Sequence, residues 1–288
     1  MVPQHQKAVN PLIGMMRQPK IYIRLPSGGN FWPEGSIVMP ENGEFPVYSM
    51  TAKDELALKV PDALMNGQAV VDVIQNCMPN IKNAWECPNL DMDVILIAIR
   101  IATYGEYMTV PVNVAEFNSE YQADLRLVLD QLQNQITWTT EVPINEDLTV
   151  YVRPINYKTM TSSALQTFET QKIIQIVNDD SYTEEEKLKA FKESFNKLNQ
   201  LTIGIINDSV YHIESSQGET SDPKFISDFL NNSDKEIFDK IKNHIEAMRE
   251  RNTTKPMKIA TTDEMRAAGV TVDEIEVPIQ FDPAYFFG

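Results

Sequence analysis

Two short motifs combine a histidine with an acidic residue at a spacing that occurs in zinc enzymes. The tripeptides at His212 to Glu214 and His244 to Glu246 both match the H-x-E fragment of nucleobase deaminases. The P-C-x-x-C fragment that supplies the other zinc ligands in those enzymes is absent from the sequence, as is an H-E-x-x-H motif. We therefore interpret both pairs as chance matches and predict no catalytic residue, no cofactor and no metal ligand.

The remaining reactive residue types also lack the neighbours that catalysis requires. Cys77 and Cys87 have no adjacent group that favours a thiolate, so we expect buried, unreactive thiols. Ser27-Gly28-Gly29 is not followed by the Lys-Ser/Thr pair of a phosphate-binding loop and is typical of a turn. Carboxylates that the fold brings together are invisible in one sequence, so a carboxylate-dependent hydrolase remains the alternative to a protein without catalytic activity.

The charge of the chain argues against nucleic acid and membrane partners. The 288 residues contain 41 Asp plus Glu and 25 Lys plus Arg, which gives a net charge of −16. Such a charge repels phosphates and anionic lipid surfaces. No segment has the length and apolar character of a membrane span or the pattern of a secretory signal, which predicts a soluble protein made inside the cell.

Residues 1–33 differ from this acidic average. They contain the basic residues Lys7, Arg17, Lys20 and Arg24 and no acidic residue. We interpret residues 1–19 as a basic arm that docks on or threads into a partner, with plain disorder or a targeting segment as alternatives. A regulatory nucleic-acid binder that uses this arm alone is a further, weaker hypothesis.

The first half of the chain has the patterns of a small antiparallel sheet with short helices. Strands are predicted at 20–25, 36–39 and 44–50, the last two joined by a turn at 41–43. Helices are predicted at 51–59, with a Thr51 and Asp54 capping box, at 68–78, and at 91–101, with Asp91 as N-cap. The third helix is apolar on most faces and should be central, although a buried strand is the rival interpretation.

The rest of this half continues with mixed elements. A strand is predicted at 107–114, followed by a segment that becomes helical from Ser119 or Tyr121 onward. Further strands near 136–142 and 149–153 complete the half.

The second half has long helical patterns and no obvious strand after residue 157. Helices are predicted at 160–178, 183–208, 225–230 and 233–251. The second of these starts with a Thr183 and Glu186 capping box. It carries a seam with alternating spacings of three and four residues, formed by Leu188, Phe191, Phe195, Leu198, Thr202 and Ile205. Packing inside its own bundle is favoured for so short a seam, and an intermolecular coiled coil is the alternative.

The C-terminal residues are extended and aromatic. A strand is predicted at 275–281, and Tyr285, Phe286 and Phe287 follow it. Three large aromatic side chains are costly in water, so they should dock in the chain's own core or in a partner. The patterns together predict an α+β protein with a basic arm (1–19), an α+β domain (20–155), a helical bundle (156–256) and an extended C-terminal segment (257–288).

Several stretches, in order, resemble the baseplate hub protein family of T-even (T4-like) contractile-tailed bacteriophages. They are IRLPSGGNFWPEG (23–35), MTAKDELALKVPDALMNGQAVVDVIQNC (50–77), DMDVILIAIRIATYGEYM (91–108), the helical runs TFETQKIIQIVND and KLNQLTIGIINDSVYHIES, and the closing FDPAYFFG. The resemblance spans most of the chain. Family members often carry paired cysteines after the strand that resembles YGEYM and again before the C-terminal FFG, and residues 110–117 and 261–274 contain none here. A metal role is therefore not implied for this chain.

The resemblance implies a mechanical function in building the central hub of the baseplate, as a hub subunit or as a hub assembly chaperone. The implied partners are other phage baseplate and tail proteins, and the seam permits a homo-oligomer. The implied locations are the host cell cytoplasm during assembly and the baseplate of the virion tail. We predict partner contacts at Arg17, Lys20, Arg24, Leu188, Phe191, Phe195, Leu198, Tyr285, Phe286 and Phe287. The hydrolase alternative would act on the cell wall.

Overall fold

The computed structural model describes residues 15–60, 63, 66–114, 117–135, 138–177 and 183–279. The helices are α1 (Ala52–Leu58), α2 (Gln68–Cys77), α3 (Asn89–Tyr104), α4 (Leu125–Gln135), α5 (Tyr157–Val177), α6 (Glu184–Ser209), α7 (Pro223–Asn232), α8 (Lys235–Asn252) and α9 (Asp263–Ala267). The strands are β1 (Ile21–Ile23), β2 (Phe45–Val47), β3 (Tyr107–Val114), β4 (Phe117–Asp124), β5 (Glu141–Asn145), β6 (Leu148–Val152), β7 (Val210–Ser215), β8 (Gly218–Thr220), β9 (Met257–Ala260) and β10 (Glu274–Val277). The fold is α+β, as the sequence patterns predict.

Helix α3 forms the centre of the first hydrophobic core. Its apolar residues from Val94 to Ile99 are almost fully buried, because an apolar run without a polar face must be covered on all sides. The rival interpretation of this run as a buried strand is wrong. The helix also starts earlier than predicted, with Pro88 as N-cap, so Asp91 lies inside the first turn and is not the cap.

The strand pairs β1–β2 and β3–β4 and the helices α1 and α2 contribute buried residues to the core around α3. Strand β1 pairs with β2, with Ile21 opposite Val47, whereas the sequence patterns paired β2 with a strand at 36–39. Residues 36–39 form no strand, and Ile37 makes an isolated bridge to Ile81. The capping box of α1 and the strand β3 are confirmed. Strand β4 occupies 117–124, so the following helix α4 begins only at Leu125.

The C-terminal segment returns to the first core. Strands β9 and β10 pair in antiparallel fashion, with Ile259 opposite Ile275. Both side chains, together with Met265 of α9, are buried in the cluster that surrounds α3. The hydroxyl of Thr254 also donates a hydrogen bond of 2.6 Å to the carboxylate of Asp93 on α3. Of the strand predicted at 275–281, residues 275–277 are in β10, and the end of that range lies outside the described residues.

A second hydrophobic core lies between a four-stranded sheet and three helices. The strand order is β5-β6-β7-β8, with every neighbouring pair antiparallel. Buried side chains of this sheet pack with Ile206 of α6, Ile226 of α7 and Ile241 of α8. The sequence patterns predicted no strand between residues 157 and 256, and β7 and β8 correct that expectation. The strands β5 and β6 also belong to this core and not to the first one. The division of the chain into four segments stays a prediction.

Helices α5 and α6 form the most extensive helix contact of the described chain. The capping box at the start of α6 is confirmed, because the Thr183 side chain accepts from Glu186 and the Glu186 side chain accepts from the Thr183 backbone. With 26 residues, α6 is about 39 Å long at about 1.5 Å per residue. Among the described helices, none is both long and apolar enough to cross a membrane.

Candidate partner-binding surfaces

The N-terminal half of α6 carries an apolar stripe that is exposed to solvent. We define the α6 stripe as Leu188, Phe191 and Phe195, whose exposed fractions are 56%, 54% and 56%. The three residues follow one another at spacings of three and four, so they share one face of the helix. The other predicted seam residues, Leu198 and Ile205, are half-buried.

The packing of α6 explains why this stripe is not covered. Of the described side chains between residues 184 and 199, Ser194 alone is buried. The second core begins further along the helix, at Ile206. Helix α6 packs extensively on α5, and the three stripe residues are nevertheless more than half exposed. Packing inside the chain's own bundle was the favoured expectation for this seam, and it does not hold for the stripe.

Arg17, the first predicted contact residue of the basic arm, is bound within its own chain. Its guanidinium donates hydrogen bonds to the carbonyl oxygen of Ser49 at 2.5 Å and to the carbonyl and side-chain oxygens of Asn76 at 2.7 and 2.6 Å. It also lies over the ring of Tyr48, 5.6 Å from the ring centre. These contacts join the arm to the end of α2 and give Arg17 a structural role.

Lys20 and Arg24 lie on the surface around β1. Both side chains are exposed. The backbone N–H of Lys20 donates to Val47, and the guanidinium of Arg24 forms an ion pair with Glu44 at 3.2 Å. Exposed ion pairs of this kind contribute little to stability, so both cations remain accessible to a partner. The structure places these two residues on one segment and the α6 stripe on another.

A buried carboxylate anchors the glycine-rich loop that follows β1. Asp91, with 0% exposure, accepts hydrogen bonds from the Ser27 backbone at 2.8 Å, the Ser27 hydroxyl at 2.6 Å and the Trp32 indole at 2.8 Å. Burial raises the pKa of Asp91 from 3.8 to about 6, against the opposing effect of these hydrogen bonds. The residue thus holds loop 26–32 on the central helix. Sequence reasoning missed this role, and the available signal was an Asp in the first turn of a mostly apolar helix.

The two cysteines are free and buried, as their surroundings in the sequence predict. Burial is the main cause that raises the pKa of the Cys77 thiol to about 12, and the nearby Asp54 carboxylate adds to it. Burial likewise raises the pKa of the Cys87 thiol well above its ordinary value. Both sulfurs are therefore held as neutral thiols, which are poor nucleophiles and poor metal ligands.

A polar cleft of about 820 Å³ lies between the start of α5 and the second half of α6. It contains two carboxylates, Glu86 and Asp208. Glu86 accepts from the Asn156 side chain at 2.8 Å, and Asp208 accepts from the Thr159 hydroxyl at 2.9 Å. Each of these two carboxylates thus accepts a hydrogen bond from a neighbouring polar side chain at the edge of the cleft.

One group of three side chains in the described residues has the arrangement of metal ligands, and it comprises His212, Glu214 and Glu219. Sequence reasoning treated the first two as a chance match and did not consider Glu219. The aromatic residues Tyr285, Phe286 and Phe287, which were predicted as partner contacts, lie outside the described residues.

Comparison with known proteins identifies the family. The family described as T4 bacteriophage base plate protein matches residues 23–270 of the chain. No curated protein and no solved structure matches it. The matched range contains the loop anchored by Asp91, most of the first hydrophobic core, the second core and all of α6, and it covers well over half of the 288 residues. The chain therefore belongs to the T4 bacteriophage base plate protein family.

Proposed function

We propose that this baseplate protein takes part in the assembly of the central hub, either as a hub subunit or as a hub assembly chaperone. The exposed α6 stripe is the observation that carries this proposal. Three large apolar side chains, each more than half exposed, lie on one face of a helix that is otherwise polar there. Contiguous apolar patches of this kind mark binding surfaces for other proteins. The family supports a structural role in the baseplate.

We propose that another baseplate protein, and not a second copy of this chain, covers the α6 stripe. When two copies of a helix pair in parallel through such a seam, a residue that flanks the seam on one helix faces the residue five positions later on the other helix. For this seam they are Lys187 and Lys192, so a second copy would place two positive charges opposite each other. A helix with an apolar face and acidic flanking residues fits this surface better.

Lys20, Arg24 and the C-terminal aromatic residues are proposed as secondary contacts. The two cations are accessible on the surface near β1 and suit an acidic patch. Tyr285, Phe286 and Phe287 supply apolar area that another baseplate protein can bury. Deleting residues 285–288 should then block assembly and leave the isolated protein folded, and loss of folding would show that these residues belong to its own core.

A double variant tests the role of the α6 stripe. Phe191→Ser with Phe195→Ser should leave the free energy of unfolding within about 0.5 kcal/mol, because both side chains are already exposed. Phage that carry this variant should produce less than a tenth of the normal number of complete tails, counted by electron microscopy. The matched control is Asn196→Ser, an exposed polar residue on the same helix turn. Normal tail numbers from a folded double variant would contradict the proposal.

Counting the protein in phage particles separates the two versions of the function. Quantitative mass spectrometry of purified phage and of infected-cell lysate gives the copy number relative to the major tail proteins. A small fixed copy number per particle is the result for a hub subunit. Presence in the lysate with none in the particle is the result for a chaperone that leaves after assembly.

A cell-wall hydrolase is the second candidate function, and the cleft with Glu86 and Asp208 is the observation that favours it. The test is release of soluble fragments from purified peptidoglycan by the wild-type protein and by Glu86→Gln and Asp208→Asn. Activity that both substitutions abolish would establish a hydrolase. The hub proposal predicts no activity in any of the three proteins.

A further inference from the structure

Three side chains converge on the outer face of the β7–β8 hairpin. The Nε2 atom of His212 lies 3.5 Å from Oε1 of Glu214 and 3.8 Å from Oε2 of Glu219. The ligand atoms of all three residues lie within 4.8 Å of one another. His212 and Glu214 come from β7, and Glu219 comes from β8 directly opposite Glu214. A single ion placed between these side chains could therefore contact ligand atoms from both strands.

The strand conformation is what makes this H-x-E pair converge. Residues two apart in a strand point to the same side of the sheet, whereas residues two apart in a helix point about 200° apart. The second H-x-E pair of the chain provides the comparison, because it lies in α8. There the His244 ring contacts the carbonyl oxygen of Thr139 at 2.9 Å, while Glu246 pairs with Lys242 at 3.7 Å. The same His-Ile-Glu sequence thus brings its histidine and its glutamate together in β7 and not in α8.

Two further hydrogen bonds orient the cluster. The Nδ1 atom of His212 lies 2.8 Å from the Ser221 hydroxyl, which leaves Nε2 directed at the carboxylates. The Tyr151 hydroxyl donates to Oε2 of Glu214 at 2.8 Å, which leaves Oε1 directed at His212. Metal-binding histidines and carboxylates in proteins are held in this way through the atom that does not bind the metal. Each partner here bonds the atom that faces away from the convergence point.

Two glutamates face each other at this point, and a bound cation would reduce their repulsion. Like charges directly opposite each other in an antiparallel sheet are destabilising, and Glu214 faces Glu219 across the hairpin. The ring of His212 lies between them with only 20% of its side chain exposed. In a tetrahedral zinc site with bonds of about 2.0 to 2.1 Å, neighbouring ligand atoms are about 3.3 Å apart. The distances of 3.5 and 3.8 Å from Nε2 are close to that spacing.

We propose that His212, Glu214 and Glu219 form a binding site for a divalent transition-metal ion of the zinc type. One imidazole and two carboxylates are common ligands of such ions, and water would complete the coordination. The ion would join β7 to β8 next to the turn at 216–217 and remove the repulsion between the two glutamates. This site is independent of the proposed hub function and uses none of the residues of the α6 stripe.

Zinc binding to the full chain, after removal of any affinity tag, tests the site. Isothermal titration with Zn²⁺ should show one ion per chain, and Mg²⁺ should give no comparable signal because it disfavours imidazole ligands. His212→Ala should weaken Zn²⁺ binding at least 100-fold, and Ser221→Ala should weaken it about 10-fold by releasing the ring. Zn²⁺ should raise the melting temperature of the wild-type protein and not that of His212→Ala.

The double variant His5→Ala with His244→Ala is the matched control, because it leaves His212 as the only histidine of the chain. It should bind Zn²⁺ as the wild-type protein does, and its Co²⁺ complex should show the visible absorption of a nitrogen and oxygen site. Circular dichroism in the presence of a chelator checks that every variant is folded. Unchanged Zn²⁺ affinity in His212→Ala, or no binding by the wild-type protein, would overturn the proposal.

Discussion

At the scale of single residues, Asp91 connects the central helix to a distant loop of the N-terminal half. It is fully buried on the central helix and accepts three hydrogen bonds from a loop that is 59 to 64 residues away in the chain. A buried carboxylate is costly unless its oxygens are satisfied. Asp91 and its loop therefore depend on each other, and neither can be changed alone without leaving a buried group unpaired.

Asp91→Asn should destabilise the protein. The amide keeps one acceptor oxygen and directs an N–H group at donors on Ser27 or Trp32. We expect a loss of about 1 to 3 kcal/mol in the free energy of unfolding at pH 7, measured by chemical denaturation. Asp72→Asn, at an exposed position on α2, is the control and should change stability by less than about 0.5 kcal/mol. Equal effects of the two substitutions would contradict the proposed anchoring role.

The raised pKa of Asp91 predicts a specific pH dependence. The pKa is about 6 in the folded state against an ordinary 3.8, so between these values the folded state binds more protons than the unfolded state. Stability from this group is therefore highest at low pH and falls as pH rises from about 4 to about 6. Asp93, whose pKa burial also raises, contributes in the same direction.

The comparison of wild type with Asp91→Asn isolates the contribution of Asp91 to this pH dependence. The variant should lose more stability relative to wild type at pH 4 than at pH 7. At about 1.4 kcal/mol for each pKa unit, the difference between the two pH values should be roughly 2 to 3 kcal/mol. Denaturation curves of both proteins at the two pH values measure it. A stability difference that does not vary with pH would show that Asp91 titrates normally.

The buried thiols should be inert in the folded protein. The pKa of Cys77 is raised to about 12 and that of Cys87 is also raised, so almost no thiolate exists at neutral pH. Neither cysteine should react with Ellman's reagent under native conditions, and both should react after unfolding in guanidinium chloride. Fast reaction of one thiol in the native state would place that cysteine in an open or mobile environment.

At the scale of secondary structure elements, Gly67 controls how α2 approaches α5. It precedes α2 with a positive φ of 78°, and a Cβ atom there would lie 3.1 Å from Thr161 and from the Tyr157 hydroxyl. No residue other than glycine fits this position without strain. The first turn of α5 thus packs directly on the backbone at the start of α2.

Gly67→Ala should cost more stability than the same change at a glycine with free space. Gly35 has nearly the same φ of 79° and nothing within 4 Å of an added Cβ, so Gly35→Ala measures the backbone cost alone, about 1 to 2 kcal/mol. We expect the loss at Gly67 to exceed it by at least about 1 kcal/mol, because Thr161 and Tyr157 must move. Thermal denaturation of both variants provides the test. Equal losses of stability in the two variants would mean that α5 moves away from the added methyl group at no cost in free energy.

Helix α6 shows how one element can serve two purposes. Its second half supplies Ile206 to the second core, while its first half leaves Phe191 and Phe195 exposed. A helix that only stabilised its own fold would bury apolar residues along its whole length. The difference between the two halves is the reason that we assign the first half to partner binding.

At the scale of the whole molecule, the last described residues close the first core. Strands β9 and β10 and helix α9 pack against the cluster around α3, although about 160 residues separate them in sequence. The first core is therefore complete only after almost the entire chain is present. We therefore expect the N-terminal half to need the C-terminal segment for stable folding.

A charge in this closing segment should disrupt the first core. Ile275 is 4% exposed and belongs to the cluster around α3, so Ile275→Asp should cost about 4 kcal/mol or more by burying an unpaired charge. Val272→Asp is the control, because Val272 is 52% exposed, and it should leave stability almost unchanged. Unfolding curves and protease resistance of residues 20–130 report the outcome. An N-terminal half that stays resistant in Ile275→Asp would show that it folds without the closing strands.

The sequence by itself determined the elements whose signals are local. The apolar run of α3, the capping boxes of α1 and α6 and the alternating strand β3 were all predicted, because periodicity and capping depend on neighbours within a few residues. The family resemblance was also present in the residues alone. Among the short strands, β2 was paired with residues 36–39 and β7 and β8 were missed, since three to six residues carry too little pattern.

Only the tertiary structure decided how distant residues combine. Asp91, which was predicted to cap the helix, instead anchors a loop. The α6 stripe is exposed, although packing inside the bundle was expected. The tertiary structure also separated two identical H-x-E sequences, because one lies on a strand opposite Glu219 and the other lies on a helix. Burial, cross-strand pairing and contact between distant segments depend on the whole chain, so no local pattern encodes them.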